Sequence, residues 1–320
     1  MKAAVDGRTV GRSDRKAVQE PALWGLVGNT PLIPIRLFDG ATVRLKCEWL
    51  NPGGSVKDRA ALFILRDGIA QGVLPGKRLL DASSGNTAIA YAMLGAARGI
   101  GVTVCVPANA SAERKALLEA FGAEVVFTDP LEGSDGAIRA ARDLAARRPD
   151  DFWYADQYNH PANPRAHYLT TAEELWRQTE GRITHFVAGL GTTGTMVGTG
   201  RRLKELNAAI ELVAVQPDEP FHGLEGLKHL DTAIVPGIYD PTIPDRTEFV
   251  ATEQADDMVH RLARETGLFV GWSTGAALVA AERVSAALDR RGPPATIVVI
   301  APDSGLRYLS ERRRLAGEAA

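Results

Sequence analysis

Residues 53–59 read Gly-Gly-Ser-Val-Lys-Asp-Arg and stand directly before an apolar helical run at residues 60–65. The preceding Asn51-Pro52-Gly53-Gly54 ends a strand-like segment, and Ser55 is well placed to cap a helix. Lys57 then falls in the first helical turn, where the helix dipole favours anions over cations. This placement indicates a role other than stability, such as a Schiff base with an aldehyde. A solvated surface lysine is the alternative interpretation.

The overall composition is that of an ordinary globular protein. The chain has 320 residues, 45% of them apolar and 24% charged, which is enough for one large or two ordinary domains. A net charge of −2 creates no general attraction for nucleic acid or an acidic membrane, and no run reaches transmembrane length. Residues 1–20 lack a signal core and predict a flexible arm. Cys47 and Cys105 predict buried thiols, no metal site and a reducing cytoplasm.

Short apolar runs alternate with helical segments, which is typical of parallel βαβ units. Residues 152–165 interrupt the alternation, and a second series follows. Residues 217–246 are rich in proline and predict a long functional loop or flap. The sequence therefore predicts an α/β protein with two halves facing across a cleft. The predicted strands are 32–35, 43–49, 78–82, 102–107, 124–127, 183–188, 211–215 and 296–300, and the predicted helices include 88–98, 112–121, 135–147, 170–179, 254–266 and 275–288.

A glycine-rich loop at residues 189–195 reads Gly-Leu-Gly-Thr-Thr-Gly-Thr, between a strand and a helix. Free backbone N–H groups at a helix N-terminus favour phosphate binding. A dinucleotide site would need an acidic residue at the end of the next strand, but that strand ends in Val215-Gln216-Pro217. The loop therefore predicts a site for a compact monophosphate, and a tight packing turn is the alternative.

Two further loops also lead from a strand-like or turn segment into a helix. Ser83-Ser84-Gly85-Asn86-Thr87 offers hydroxyls, an amide and exposed N–H groups that suit a carboxylate. Gly271-Trp272-Ser273-Thr274-Gly275 repeats the arrangement near the C-terminus. Each loop, taken alone, is also compatible with a simple helix N-cap.

Five motifs occur in order along the chain: residues 51–59, 84–87, 156–159 with 161–164, 191–195 and 271–275. Together they resemble the cysteine synthase (O-acetylserine sulfhydrylase) family of fold-type II enzymes that use pyridoxal phosphate (PLP). The likeness covers about residues 23–310, and residues 165–168 and 181–187 look most like the B-type isozymes.

The resemblance implies a fold and a domain division. The fold would be that of tryptophan synthase β-like enzymes, with two α/β domains, mostly parallel sheets and the active site between them. The smaller domain would span residues 47–157, and the larger would combine residues 21–46 with 158–320. A homodimer is expected on the same ground.

The resemblance also assigns roles to individual residues. Lys57 would form the Schiff base with PLP and act as general base. Asn86 would hydrogen-bond the phenolic oxygen of the cofactor, and Ser273 would face its pyridine nitrogen. The phosphate would be held by Gly191, Thr192, Thr193, Gly194 and Thr195. The substrate carboxylate would be held by Ser83, Ser84, Gly85, Thr87 and Gln157.

A serine beside the pyridine nitrogen is neutral, so the ring would be a weaker electron sink than with an aspartate partner. Prompt loss of a β-leaving group suits such a site better than transamination. The expected reaction is replacement of the β-substituent of O-acetyl-L-serine or O-phospho-L-serine by sulfide or another sulfur donor, giving L-cysteine. A dehydratase or a cystathionine-forming β-synthase would use the same cofactor with water or homocysteine instead.

Three positions in this sequence depart from the family pattern or vary within it. Ser83 replaces the usual threonine of the family and keeps the hydroxyl, so little change is expected there. Trp272 replaces a small aliphatic residue and would either narrow the cleft or pack beneath it. Lys228 lies in the flap where B-type and phosphoserine-using relatives have a basic residue. It would favour O-phosphoserine or an anionic sulfur donor, including the thiocarboxylate of a sulfur-carrier protein; a solvated flap lysine is the alternative. A different class of function is also open: the chain would then be a non-catalytic binding protein that docks the C-terminal tail of serine acetyltransferase.

Overall fold

The computed structural model describes residues 20–38, 41–83, 85–289 and 294–310. The arm predicted for residues 1–20 lies outside these ranges except for Glu20, and so does the predicted site residue Ser84.

The larger sheet combines strands from both ends of the chain. In the described part, six strands lie in the order β1-β2-β10-β7-β8-β9, and every pair is parallel except β1 with β2. Pro34 falls in β1 at the sheet edge, where its missing N–H costs no ladder hydrogen bond. The strands are β1 Leu32–Ile35, β2 Ala41–Cys47, β7 His185–Gly189, β8 Glu211–Pro217, β9 Arg246–Val250 and β10 Ala295–Ala301.

The smaller sheet is wholly parallel and comes from the middle of the chain. Its order is β5-β4-β3-β6 over the residues described. From the sequence, Phe152-Trp153-Tyr154 are interpreted as an interruption of the alternating strands and helices. That interpretation is wrong, because these residues pair with β3 as an edge strand. The strands are β3 Arg78–Ala82, β4 Val102–Pro107, β5 Glu124–Thr128 and β6 Phe152–Tyr154.

Helices cover the sheets, and the alanine-rich α2 and α9 are the most deeply buried. Their small side chains permit close approach to the neighbouring strands and helices. A π-helical turn at His167–Thr171 joins α5 to α6. The helices are α1 Lys57–Ala70, α2 Asn86–Arg98, α3 Ala112–Ala120, α4 Gly133–Arg147, α5 Ala162–Ala166, α6 Ala172–Gln178, α7 Gly194–Leu206, α8 Thr252–Thr266 and α9 Trp272–Ala287.

The predicted α/β class with mostly parallel sheets is confirmed. The predictions missed β9, which follows the proline-rich flap and is half-exposed along most of its length. The division into domains at residues 47 and 157 stays a prediction. None of the helices in the described ranges combines the length and the apolar character needed to cross a membrane.

A buried network of two cations and two carboxylates fixes the beginning of α1. Arg59 donates to Glu48 over 2.7 Å (Nε to Oε2) and to Glu174 over 2.7 Å (Nη1 to Oε1). Lys46 Nζ lies 2.6 Å from the other oxygen of Glu174. Burial raises the pKa of Glu174, but the hydrogen bonds and charges of Arg59 and Lys46 outweigh it, so the pKa is lowered and the carboxylate is ionised. The network ties β2 and α6 to the helix that begins at Lys57.

Replacing Glu174 by alanine would leave Lys46 and Arg59 buried without their shared carboxylate. We expect Glu174→Ala to lower the free energy of unfolding by about 3–5 kcal/mol, because an uncompensated buried charge is costly. The adjacent Glu173 is half-exposed and pairs with Arg202 at the surface, so Glu173→Ala should cost about 0–1 kcal/mol. Chemical denaturation of both variants measures the difference; equal losses would contradict the account.

Candidate active site

The predicted site residues lie around a cleft of about 600 Å³. The loops that line it follow the carboxyl ends of β3 and β7, where open parallel sheets place their ligands. A smaller cavity adjoins it and is lined by Lys57, Asn86, Gly191, Thr195 and Ser273 with Asp303. Thr193 and Gly194 complete the glycine-rich loop without lining either cavity. The predicted residues on the main cleft are Lys57, Ser83, Gly85, Asn86, Thr87, Gln157, Gly191, Thr192 and Lys228.

Lys57 is the first residue of α1 and is held rigidly there by its neighbours. Its backbone N–H donates to the Ser55 hydroxyl over 3.2 Å, and Asp58 accepts the N–H of Gly53 over 2.5 Å. Burial lowers the pKa of the Lys57 ammonium, and the carboxylate of Asp303 opposes that shift. The amine therefore gives up its proton more readily than an exposed lysine, which suits a nucleophile or a base.

The glycine-rich loop packs so closely against neighbouring segments that two of its glycines leave no room for a side chain. A Cβ on Gly191 would lie 2.1 Å from the carbonyl oxygen of Gly226, and one on Gly194 would lie 2.0 Å from Oδ1 of Asn163. Thr193 adopts a left-handed φ of 70° immediately before α7. Its buried hydroxyl has no hydrogen-bond partner among the described residues. A phosphate at this helix N-terminus would supply the missing acceptor, so the loop fits the phosphate of PLP.

Two buried side chains that were not among the predicted site residues contact threonines of this loop. Nε2 of His167 lies 3.3 Å from the Thr195 hydroxyl, and burial lowers the pKa of His167 to about 3, which keeps the ring neutral. His167 begins the π-helical turn, a feature frequent at functional sites. Nδ2 of Asn163 donates to the Gln157 carbonyl over 2.8 Å and to the Thr192 hydroxyl over 3.0 Å. Asn163 thereby joins the phosphate loop to the predicted carboxylate site.

The predicted carboxylate site surrounds the N-terminus of α2. Thr87 donates to Oε1 of Gln157 over 2.8 Å, and Nε2 of Gln157 donates to the Ala82 carbonyl over 2.7 Å. The Ser83 hydroxyl accepts the N–H of Gly85 over 3.2 Å. These bonds fix hydroxyl, amide and backbone groups together at a positive helix end, where an incoming carboxylate is favoured.

Asn86 and Ser273 both line the smaller cavity with Lys57. Nδ2 of Asn86 donates to Oδ2 of Asp303 over 2.6 Å, and its Oδ1 accepts from Nη1 of Arg307 over 2.9 Å. Ser273 is buried in the first turn of α9. Sequence reasoning missed Asp303 and Arg307. The available signal was that Asp303 follows the carboxyl end of β10, the same sheet edge from which the phosphate loop begins.

The Lys228 ammonium is neither solvated nor isolated. Nζ lies 2.8 Å from Oδ1 of Asp135 on α4 and 5.2 Å from the centre of the Tyr158 ring. Only 6% of the residue is exposed. The interpretation of Lys228 as a solvated flap lysine is therefore wrong, and its charge is already paired across the cleft.

Trp272 packs in the core and does not narrow the cleft. Its ring lies 5.2 Å from that of Tyr308, and Nε1 donates to Asp256 over 2.6 Å. The substitution for a small aliphatic residue therefore changes the packing beneath the Ser273 loop.

Comparison with known proteins supports the same chemistry. The family model described as "Pyridoxal-phosphate dependent enzyme" matches residues 23–303. The cysteine synthase of Aquifex aeolicus is 50% identical over 292 residues, covering 89% of each chain. Cysteine synthase B of Pseudomonas aeruginosa is 42% identical and covers 92% of this chain and 97% of its own. The crystal structure of an O-ureido-L-serine synthase superposes with a TM-score of 0.84 at 34% identity, covering 90% of this chain and 93% of that one.

The matched family is described by its use of pyridoxal phosphate, and the buried amine of Lys57, the glycine-rich loop before α7 and the polar loop before α2 fit that cofactor. This chain therefore belongs to the family of pyridoxal-phosphate-dependent enzymes and, within it, to the cysteine synthases.

Proposed function

We propose that this chain makes L-cysteine by replacing the β-substituent of O-acetyl-L-serine or O-phospho-L-serine with sulfide or another sulfur donor. The observation that carries the proposal is the position of Lys57. Its weakly basic amine lines one cavity together with Asn86, Ser273 and the phosphate loop. The curated relatives named cysteine synthase support the same reaction class.

Bound PLP supplies an aldehyde carbon for the substrate amine and a ring that accepts electron density from the α-carbon. Lys57 would act as the general base. Its amine would take the proton from the α-carbon of the substrate and later return it to the product. Because burial lowers the pKa of this amine, part of it is neutral at a lower pH than a solvated lysine would allow.

The remaining residues orient and restrain the reactants. Thr193 and the other N–H and hydroxyl groups of residues 191–195 hold the phosphate. Ser83, Gly85, Thr87 and Gln157 orient the substrate carboxylate at the N-terminus of α2, together with the hydroxyl predicted at Ser84. Ser273 offers a neutral hydroxyl to the pyridine nitrogen, which favours loss of the β-substituent over longer-lived carbanion chemistry.

The second substrate decides between this reaction and its nearest alternatives. If no nucleophile adds to the β-carbon and water instead hydrolyses the eliminated product to a 2-oxo acid and ammonia, the reaction is that of a dehydratase. Addition of homocysteine would make the chain a cystathionine-forming β-synthase. A structural relative is named for O-ureido-L-serine, so the fold accommodates products other than cysteine. The 50% identity to a cysteine synthase favours sulfur as the nucleophile in this chain.

A cytoplasmic homodimer belongs to the same proposal. Two buried free thiols, Cys47 and Cys105, are compatible with a reducing compartment. At the mouth of the cleft, Leu131 and Phe221 are almost fully exposed. These apolar side chains would suit a protein partner such as serine acetyltransferase or a sulfur-carrier protein.

A substrate panel tests the proposed reaction. O-acetylserine, O-phosphoserine and serine are each incubated with sulfide, thiosulfate or homocysteine, and cysteine and cystathionine are quantified. We expect cysteine from an activated serine and sulfide, and about a 10²–10⁴-fold lower rate for Lys57→Ala, because the general base is lost. Lys77→Ala removes a lysine that donates to the Pro149 carbonyl at the surface, and it serves as the matched control. Cystathionine as the main product, or equal rates for the two variants, would contradict the proposal.

The choice of leaving group tests the role of Lys228. Lys228→Ala should lower the rate with O-phosphoserine about tenfold more than with O-acetylserine, because a phosphate gains most from a nearby ammonium. Asp135→Asn releases that ammonium from its carboxylate partner and should shift the preference the other way, towards O-phosphoserine. The ratio of kcat/KM for the two substrates is the measurement. An equal loss of kcat/KM on both substrates in Lys228→Ala would show that Lys228 does not select the leaving group.

A further inference from the structure

The side-chain amide of Asn86 lies between the Arg307 guanidinium and the Asp303 carboxyl group. Burial raises the pKa of Asp303, and the hydrogen bonds from Tyr308 and Asn86 and the charge of Arg307 oppose that shift. Nη1 of Arg307 donates to Oδ1 over 2.9 Å, and Nδ2 donates to Oδ2 of Asp303 over 2.6 Å. Both partners come from the segment that follows β10, and the contact with Asp303 joins residues 217 positions apart. The two ends of the amide are therefore distinguished by charge as well as by hydrogen bonding.

These charges specify one orientation of the amide. A rotation of 180° would place Oδ1 against the Asp303 carboxylate and the NH₂ group against the Arg307 guanidinium. Both contacts would be repulsive, and the site is partly buried, so electrostatic interactions there are stronger than in bulk water. In the observed orientation, Asp303 uses one of the two hydrogens on Nδ2, and the other remains available to the cavity that Asn86 lines.

Asp303 and Arg307 are themselves held in place. Asp303 is buried, accepts a hydrogen bond from the Tyr308 hydroxyl and forms a backbone bridge to Ser55, two residues before Lys57. A Cβ on Gly271 would lie 2.1 Å from Oδ1 of Asp303, so the carboxylate fills its space. Arg307 also donates to the carbonyl of Gly53 in the loop before α1. The pair therefore connects Asn86 to the loop that carries the lysine.

We propose that Asp303 and Arg307 are positioning residues that clamp the Asn86 amide with an N–H, and not its carbonyl oxygen, towards the phenolic oxygen of PLP. The inference rests on the proposed role of Asn86 and adds the two residues that determine which end of its amide the cofactor meets. A donor stabilises the negative charge on that oxygen, whereas a carbonyl oxygen in the same place would repel it.

The clamp is tested by cofactor affinity and absorbance as well as by turnover. Equilibrium dialysis of holoenzyme gives the dissociation constant of PLP, and the visible band of the bound cofactor reports on its phenolic oxygen. We expect Arg307→Met to weaken PLP binding about tenfold, the scale of one hydrogen bond to a charged group, and to alter the visible band. Arg307→Lys should recover part of the loss, because an ammonium can still donate to Oδ1. Arg201→Met, which removes a surface pair with Asp240, is the matched control.

A double-mutant cycle shows whether Arg307 affects PLP binding through Asn86 or through Gly53. In an Asn86→Ala background, Arg307→Met should weaken PLP binding no further, because the amide it orients is gone. In the otherwise wild-type enzyme, Asp303→Asn should also weaken PLP binding, because it removes the carboxylate that accepts from Nδ2 of Asn86. An equal effect of Arg307→Met in both backgrounds would overturn the clamp, and so would variants with wild-type affinity and absorbance. If wild-type enzyme binds PLP and makes cysteine in those cases, the proposed function stands; failure of wild-type protein to bind PLP would overturn both.

Discussion

The buried network of Lys46, Glu48, Arg59 and Glu174 fixes the helix on which the chemistry depends. Arg59 lies two residues after Lys57, so its bonds to two carboxylates hold the first turn of α1 against β2 and α6. Buried ion pairs add little net stability over an apolar core, but loss of one partner is costly because the other charge stays buried and uncompensated. At the start of this helix, burial lowers the pKa of the Lys57 amine.

The rest of the site follows from the topology of the sheets. The phosphate loop follows β7, the carboxylate loop follows β3, and Asp303 follows β10, all at the carboxyl ends of parallel strands. The residues proposed to bind the cofactor and the substrate therefore come from segments far apart in sequence, and the strand order brings these segments to one cleft. The ion pair between Lys228 and Asp135 joins the flap to α4 on the opposite side of the cleft.

The sequence predicted the elements whose apolar pattern is strong. All six residues of β4 are buried, and its predicted bounds of 102–107 match the structure. β9 was missed because most of its residues are half-exposed and it follows a proline-rich loop, so no clear period marks it. In the site, the five motifs in their order along the chain pointed to the residues around Lys57 and Gly191. The contacts of Asn86 with Asp303 and of Lys228 with Asp135 depend on packing between distant segments, which no local pattern encodes.

The central claim is that the amine of Lys57 is the covalent attachment point of the cofactor. Borohydride reduction of holoenzyme, followed by proteolysis and mass spectrometry, measures this most directly, because reduction makes an imine linkage permanent. We expect a phosphopyridoxyl mass increment on the peptide that contains Lys57. An increment confined to another lysine, or no increment in protein that retains PLP, would contradict it.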